Sequence, residues 1–342
     1  MGQKNNKRVT IYDLAKELNV SPSTVSRALK DHTSIGQETT KAVKALAKQR
    51  GYRPNVLASN LRNQHSNTIG VLVPWVNRPF ISTLISGIEE SAQRAGYNVL
   101  IAQTQDSYET EVTNTKALVD SRVQALIVSL AMETTDYSHF NDAVRQGTPV
   151  VFVDRVPMNY RGNQVMIDNY QTGYDATQYL IDRGRKRIAL FSGSLKQKIY
   201  RDRYDGYVAA LRNNGIPIDE SLIGNSHRLS IEEGTALIAG MLKLSVPPDA
   251  VFSTNDSAAI GAMKYVKSVG KRIPEDVAFI GMNDDPMCTI ITPNLTSMSH
   301  PAAEMGRLAL RQALEIITQP DAETNTAITV RLNTKVVPRA SS

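Results

Sequence analysis

From Thr68 onward, short runs of aliphatic residues alternate with amphipathic helical stretches, and this alternation limits the fold more than any other feature of the chain. Strand patterns occupy residues 68–73, 98–102, 125–129, 150–153, 165–168, 187–191, 250–253, 277–280 and 296–299. Helical patterns lie among them at 81–95, 171–183, 201–213, 230–242, 257–269 and 301–317. Strands and helices that alternate over this length form parallel sheets covered on both faces. Nine strands crowd a single open sheet, so two doubly wound halves are expected. Ligands of such sheets bind beyond the carboxyl ends of the strands. Two halves facing each other would enclose a small molecule between those ends.

Charge separates the chain into two parts. Residues 1–64 carry 12 Lys and Arg against 4 Asp and Glu, whereas the remaining 278 carry 27 against 29. The net charge of +6 therefore originates entirely in the first fifth. A basic head on a near-neutral body is the electrostatic footprint of a DNA-binding module. The 342 residues exceed what one core organises, so two or three domains are expected. A single cysteine, Cys288, excludes an internal disulfide and fits a reducing compartment. The first eight residues are polar, so no signal peptide is expected. No apolar run approaches the roughly 18 residues of a membrane span. A cytoplasmic protein with no membrane partner follows.

The head reads as three helices. Thr10 can cap the first, with Asp13 completing a capping box, and Ile11, Leu14, Ala15 and Leu18 recur at helical spacing. Asn19 falls where the chain must turn sharply. Ser21 caps a second helix and Pro22 occupies its first position, where a missing N–H costs nothing. Val25 and Leu29 face inward, which leaves Pro22, Ser23, Ser26 and Arg27 on the outer face. In a helix-turn-helix that face enters the major groove, and the Arg27 fork matches the O6/N7 edge of guanine. A third helix runs from about residue 37 to 50, with Val43, Leu46 and Ala47 inward and Gly51 as its stop.

The run Val9 to Leu29, the junction Gly51-Tyr52-Arg53-Pro54-Asn55 and the segment Val56 to Leu61 together resemble the lactose-repressor (LacI/GalR) family of bacterial transcription regulators. The resemblance continues in order through Ile69–Pro74, Pro149–Arg155, Asp168–Gly173, Ile188–Gly193, Thr254–Asp256 and Pro293–Thr296. It implies a helix-turn-helix domain at 1–54 and a hinge helix and linker at 55–67. The effector-binding and dimerisation domain, 68–342, would resemble periplasmic sugar-binding proteins, with three crossovers between its subdomains. The N-subdomain is expected at about 68–164 and 297–325, and the C-subdomain at about 165–296 and 326–342.

The resemblance further implies DNA contacts from Thr10, Tyr12, Ser21, Pro22, Ser23, Thr24, Ser26 and Arg27. Asn55, Ala58 and Leu61 would act in the hinge, where a leucine from each subunit wedges into the central minor-groove step and bends the duplex. One departure precedes the third helix. The family pattern Val-Ser-x-x-Thr-Arg is Ile35-Gly36-Gln37-Glu38-Thr39-Thr40 here, so a weaker cap and a lost phosphate contact are expected.

Strand-end residues supply the expected effector pocket: Trp75, Asn77 and Phe80 after the first body strand, Ser129 after the third and Asp154 after the fourth. Trp75, the only tryptophan, offers a face for a sugar ring. Arg203 and Asn255 match family ligand positions, Arg203 resembling a polyol-binding arginine. Two positions depart from the family. Asn283 stands where an acid is usual, and Leu229 stands where many members carry a stacking aromatic. Both changes set this pocket apart from those for galactosides and purines.

No nucleophile–base arrangement, P-loop or dinucleotide fingerprint is visible, and the five histidines are isolated from one another. Neither catalysis nor a metal or organic cofactor is expected. The reading is a homodimeric repressor of a sugar-utilisation operon, bound to near-palindromic double-stranded operator DNA and controlled by a carbohydrate-like effector. The alternatives are a solute-binding protein or a cleft enzyme without operator control.

Overall fold

The computed structural model describes residues 9–52, 66–158, 162–319 and 327–342. The chain divides after Ser66 into two compact units, a small head and a large body.

In the head, Thr10 opens α1 (Ile11–Glu17). Its hydroxyl accepts from the Asp13 amide at 3.4 Å, while the Asp13 carboxylate accepts from the Thr10 amide at 2.8 Å. This reciprocal cap satisfies two donors that helix geometry leaves orphaned. Asn19 adopts φ 50°, the left-handed turn its short amide side chain tolerates. Ser21 then caps α2 (Pro22–Leu29) by accepting from the Thr24 amide at 3.0 Å. Gly36 opens α3 (Gln37–Gln49) without any side-chain cap, as its lack of a hydroxyl dictates. Leu14, Ala15, Val25, Ala28, Val43, Leu46 and Ala47 form the core, with Leu29 partly buried beside them. The hinge residues Asn55, Ala58 and Leu61 lie outside the described residues.

The body contains two six-stranded sheets. The first holds β1 (Thr68–Val73), β2 (Asn98–Gln103), β3 (Ala125–Val128), β4 (Val150–Val153), β5 (Asn163–Ile167) and β11 (Thr329–Leu332). Their spatial order is β11-β5-β4-β3-β1-β2 and every pairing is parallel. The second holds β6 (Ile188–Ser192), β7 (Ile223–Asn225), β8 (Ala250–Ser253), β9 (Ala278–Asn283), β10 (Thr296–Ser299) and β12 (Val336–Val337). Its order is β12-β10-β9-β8-β6-β7, parallel except where β12 runs against β10. β3, β4, β6 and β8 are buried along their whole length, as strands covered on both faces must be.

The switch points between the halves differ from the expected 165, 297 and 326. β5 stays wholly in the first sheet, since Val151, Phe152 and Val153 of β4 register against Asn163, Gln164 and Val165. β10 stays wholly in the second, with Thr296 beside Ile280. β11 returns to the first sheet and only β12 ends in the second. The chain thus changes sheet between complete strands, after β5, after β10 and after β11. Strand periodicity marks where a strand lies but not which sheet receives it.

Helices cover both sheets. In the first half these are α4 (Pro79–Arg94), α5 (Tyr108–Asp120) and α6 (Ser138–Arg145), joined later by α11 (Ala302–Thr318). The second half uses α7 (Asn169–Ile181), α8 (Lys198–Asn213), α9 (Ile231–Met241) and α10 (Asp256–Ser268). α7 and α8 meet through glycines. A Cβ on Gly173 would fall 2.2 Å from the Arg203 carbonyl oxygen, and one on Gly206 would fall 2.1 Å from that of Tyr170. This backbone contact fixes the turn of α8 that carries Arg203.

Candidate functional site

The carboxyl ends of the two sheets enclose a cleft of about 740 Å³, including its mouth. Trp75, Phe80, Asp154, Arg203, Leu229, Asn255 and Asn283 line it, as the sequence suggests. Asn77 is exposed and Ser129 is buried, and neither is among the lining residues. The cleft also recruits Asp106, Arg155, Tyr200 and His300, which strand-end reasoning did not single out as ligand groups. Asp106 and His300 do follow strand ends, at β2 and β10.

Asp106 organises one wall. Its carboxylate accepts from Trp75 Nε1 at 2.7 Å, from the Met132 amide at 3.0 Å and from the Arg155 guanidinium. The indole edge is thereby occupied and its orientation fixed. Burial works against the Arg155 charge, but Tyr200, Asp106 and Asp154 outweigh it and raise its pKa. By geometry Arg155 pairs with Asp106 rather than with its neighbour in sequence.

The floor holds Asp154, Arg203 and His300, all buried. Arg203 Nε donates to Asn169 Oδ1 at 2.9 Å and Nη1 to the Thr254 carbonyl at 3.0 Å. Asp154 ends β4 with φ 63°. Burial pushes its carboxyl above the ordinary range, while Arg155 and Arg203 pull it back. His300 stacks on Phe80 with ring centroids 4.0 Å apart, and its Nδ1 lies 3.1 Å from Asn283 Oδ1. Burial, reinforced by the Arg203 charge, holds the imidazole well below its ordinary pKa, so it is neutral.

Asn255 and Leu229 form a unit. Asn255 Oδ1 caps α10 by accepting from the Ala258 amide at 2.9 Å, and its Nδ2 donates to the Leu229 carbonyl at 2.9 Å. Leu229, with φ 50°, is buried against the second sheet's core. Both ends of the Asn255 amide are thus used inside the protein, which places Leu229 at the cleft wall. Besides the Phe80–His300 stack, hydrogen bonds cross between the halves. Gln197 Nε2 donates to the carbonyls of Met132 and Thr134, and Arg78 Nη2 approaches the Arg228 carbonyl at 3.5 Å.

In the head, Thr10, Tyr12, Ser21, Ser23 and Arg27 are exposed, and Pro22, Thr24 and Ser26 are partly so. The Ser21 hydroxyl lies 2.7 Å from Ser23 Oγ and 2.8 Å from Thr24 Oγ1, which draws three hydroxyls together at the start of α2. Lys44 pairs with Asp31 and Arg50 with Glu17, so two of the head's cations are engaged within it. Among the described residues no group of three metal-ligating side chains occurs.

A capped helix-turn-helix joined to a two-sheet binding body defines a ligand-responsive, DNA-binding transcriptional regulator. Residues 10–55 match the family described as "Bacterial regulatory proteins, lacI family", and residues 66–336 match "Periplasmic binding proteins and sugar binding domain of LacI family". The chain belongs to the LacI family. It is 32% identical over 313 residues to the HTH-type transcriptional repressor CytR of Escherichia coli K12, covering 92% of this chain and 91% of that one. The structure of the transcriptional regulator CelR–cellobiose complex is 27% identical, with TM-score 0.74 over 98% of this chain and 100% of that one. The Lac repressor dimer bound to operator and an anti-inducer shares the fold, with TM-score 0.87, 23% identity, and coverage of 98% of this chain and 99% of that one.

Proposed function

We propose that the protein is a cytoplasmic homodimer that represses a carbohydrate-utilisation operon and is released from its operator by a neutral sugar-like effector held in the body cleft. The observation that carries this reading is the convergence of Trp75, Asp154 and Arg203 on one buried floor and wall. A tryptophan beside a buried acid and a buried arginine offers an apolar face with fixed hydrogen-bonding groups, the composition of a small-molecule site. The similar transcriptional regulator CelR, solved as a cellobiose complex, supports the same ligand class.

In the head, Pro22, Ser23, Ser26 and Arg27 present the outer face of α2 to the major groove, with Thr10, Tyr12, Ser21 and Thr24 on backbone phosphates. Asn55, Ala58 and Leu61 supply the hinge. Two heads would read two half-sites of a near-palindromic operator, protein symmetry mirroring site symmetry. The effector can act only by binding one cleft arrangement more tightly than another. The cleft contains carboxylates, but none is assigned a catalytic step, and no turnover is expected.

A gel-shift titration of the full chain and of residues 68–342, with and without a sugar panel, tests this. The full chain should bind promoter DNA selectively and lose affinity with one sugar. Equal binding by both would remove the operator reading, and turnover of a sugar in the cleft would favour an enzyme.

A further inference from the structure

The floor of the cleft has an arrangement that specifies its ligand further, an inference that rests on the carbohydrate reading above. His300 is buried, with its side chain 1% exposed, and its Nε2 has no hydrogen-bond partner. That nitrogen lies 3.7 Å from Asp154 Oδ1, and both residues line the cleft. Asn283 turns Oδ1 toward Nδ1 at 3.1 Å, and with the amide in that orientation the imidazole proton is placed on Nδ1 and the Nε2 lone pair faces Asp154. Two acceptors thus face one small region of the cleft, where the buried Ser129 hydroxyl acts on Asp154 and no protein donor reaches Nε2. A buried polar atom left unpaired is unfavourable, and a ligand that pairs it gains affinity.

We propose that Asp154 and His300 together form a two-acceptor site that selects an effector carrying hydroxyls on neighbouring carbons, one donating to the Asp154 carboxylate and the other to His300 Nε2. One hydroxyl has a single proton and cannot satisfy both acceptors, whereas a vicinal diol brings two. An ammonium would also bring two protons, but the Arg155 and Arg203 charges that act on Asp154 oppose a cation there. The neutral diol is the donor pair that fits. Phe80, stacked on the imidazole, holds the ring in the plane this requires. Asn283 is then a positioning residue. Its amide offers a carbonyl acceptor to Nδ1 without the negative charge that would favour protonation of the ring and turn Nε2 into a donor.

The test uses the full chain. D-ribose, D-glucose, D-galactose and cellobiose are screened by thermal shift, and the binding sugar and its singly deoxygenated analogues are then measured by calorimetry. In the wild type, removing either of two adjacent hydroxyls should weaken binding roughly tenfold or more, and other positions less. His300→Phe keeps a ring on Phe80 but lacks the acceptor. In that variant one of the two hydroxyls should cease to matter, and His300→Gln, which can offer an amide oxygen, should restore part of the discrimination. Thermal unfolding of each variant separates lost folding from lost selectivity. Should no sugar bind, the carbohydrate reading fails and the diol site with it. Should a sugar bind with the same deoxy-analogue ranking in wild type and His300→Phe, the diol site alone is wrong.

Discussion

The side-chain amide of Gln197 donates to the Met132 carbonyl at 2.7 Å and to the Thr134 carbonyl at 3.0 Å, joining the N-terminus of α8 to the opposite half of the body. Gln197 is buried, so these carbonyls are satisfied by the protein rather than by solvent. Gln197→Leu should remove both bonds and strand two acceptors. A loss of about 1–3 kcal/mol in body stability is expected, with a more open cleft visible as a larger radius of gyration in X-ray scattering. Unchanged stability and scattering would show that the bridge contributes nothing to closure.

Arg27→Ala should lower affinity by about 1–3 kcal/mol and relax preference at one base pair in each half-site, because a guanine-reading fork is lost while phosphate contacts remain. Binding measured against a set of single-base operator variants checks this. A uniform loss across all variants would place Arg27 on the backbone instead.

Ser21→Ala acts differently. It removes the α2 cap at the Thr24 amide, so the head should lose about 1 kcal/mol of stability. Affinity should fall for all sequences alike, with specificity retained. A change in base preference in electrophoretic assays would instead assign Ser21 a direct reading role.

The head was largely legible in the sequence because its signals are local. The Thr10–Asp13 box, the Asn19 turn and the Ser21-Pro22 start each occupy a few consecutive residues and are present as read. The body's strands were legible for the same reason, with β7, β11 and β12 and the helices α5 and α6 missing from the reading. Two of these strands, β7 and β12, are only two or three residues long, and α5 buries Glu111 and Thr115 with only Leu118 as an aliphatic anchor. What stayed hidden depends on pairing across distance. Asp106 meets Trp75 and Arg155 only after β1, β2 and β4 enter one sheet, and His300 meets Asp154 only after β10 pairs with β9 in the other. Asn255, expected at a ligand, lines the cleft and in addition caps α10 and bonds the Leu229 carbonyl, a pairing no local pattern announces.

Stability should depend on pH through the buried Asp256 and the half-buried Asp285 beside it. Asp256 accepts from Ser297 Oγ at 2.7 Å and from the Asp285 amide at 2.8 Å. Burial pushes Asp256 up to about 7 and Asp285 up to about 6. Both folded values lie above the unfolded value near 4, so the native state retains protons that the unfolded chain releases. This contribution is complete below about pH 4 and is lost as pH rises through about 6 to 7. Asp256→Asn keeps one acceptor and can donate to Ser297, so its stability should vary less over that window. Denaturant unfolding at several pH values reads the slope; an unaltered slope would exclude Asp256 as its source.

The most direct measurement of the whole account is fluorescence anisotropy of the full chain on near-palindromic promoter DNA, titrated in salt with and without sugar. Selective binding is predicted, with affinity falling linearly in log salt concentration and one sugar shifting the curve to weaker binding. Absence of sequence-selective binding at moderate ionic strength, whatever metabolite is added, would contradict it.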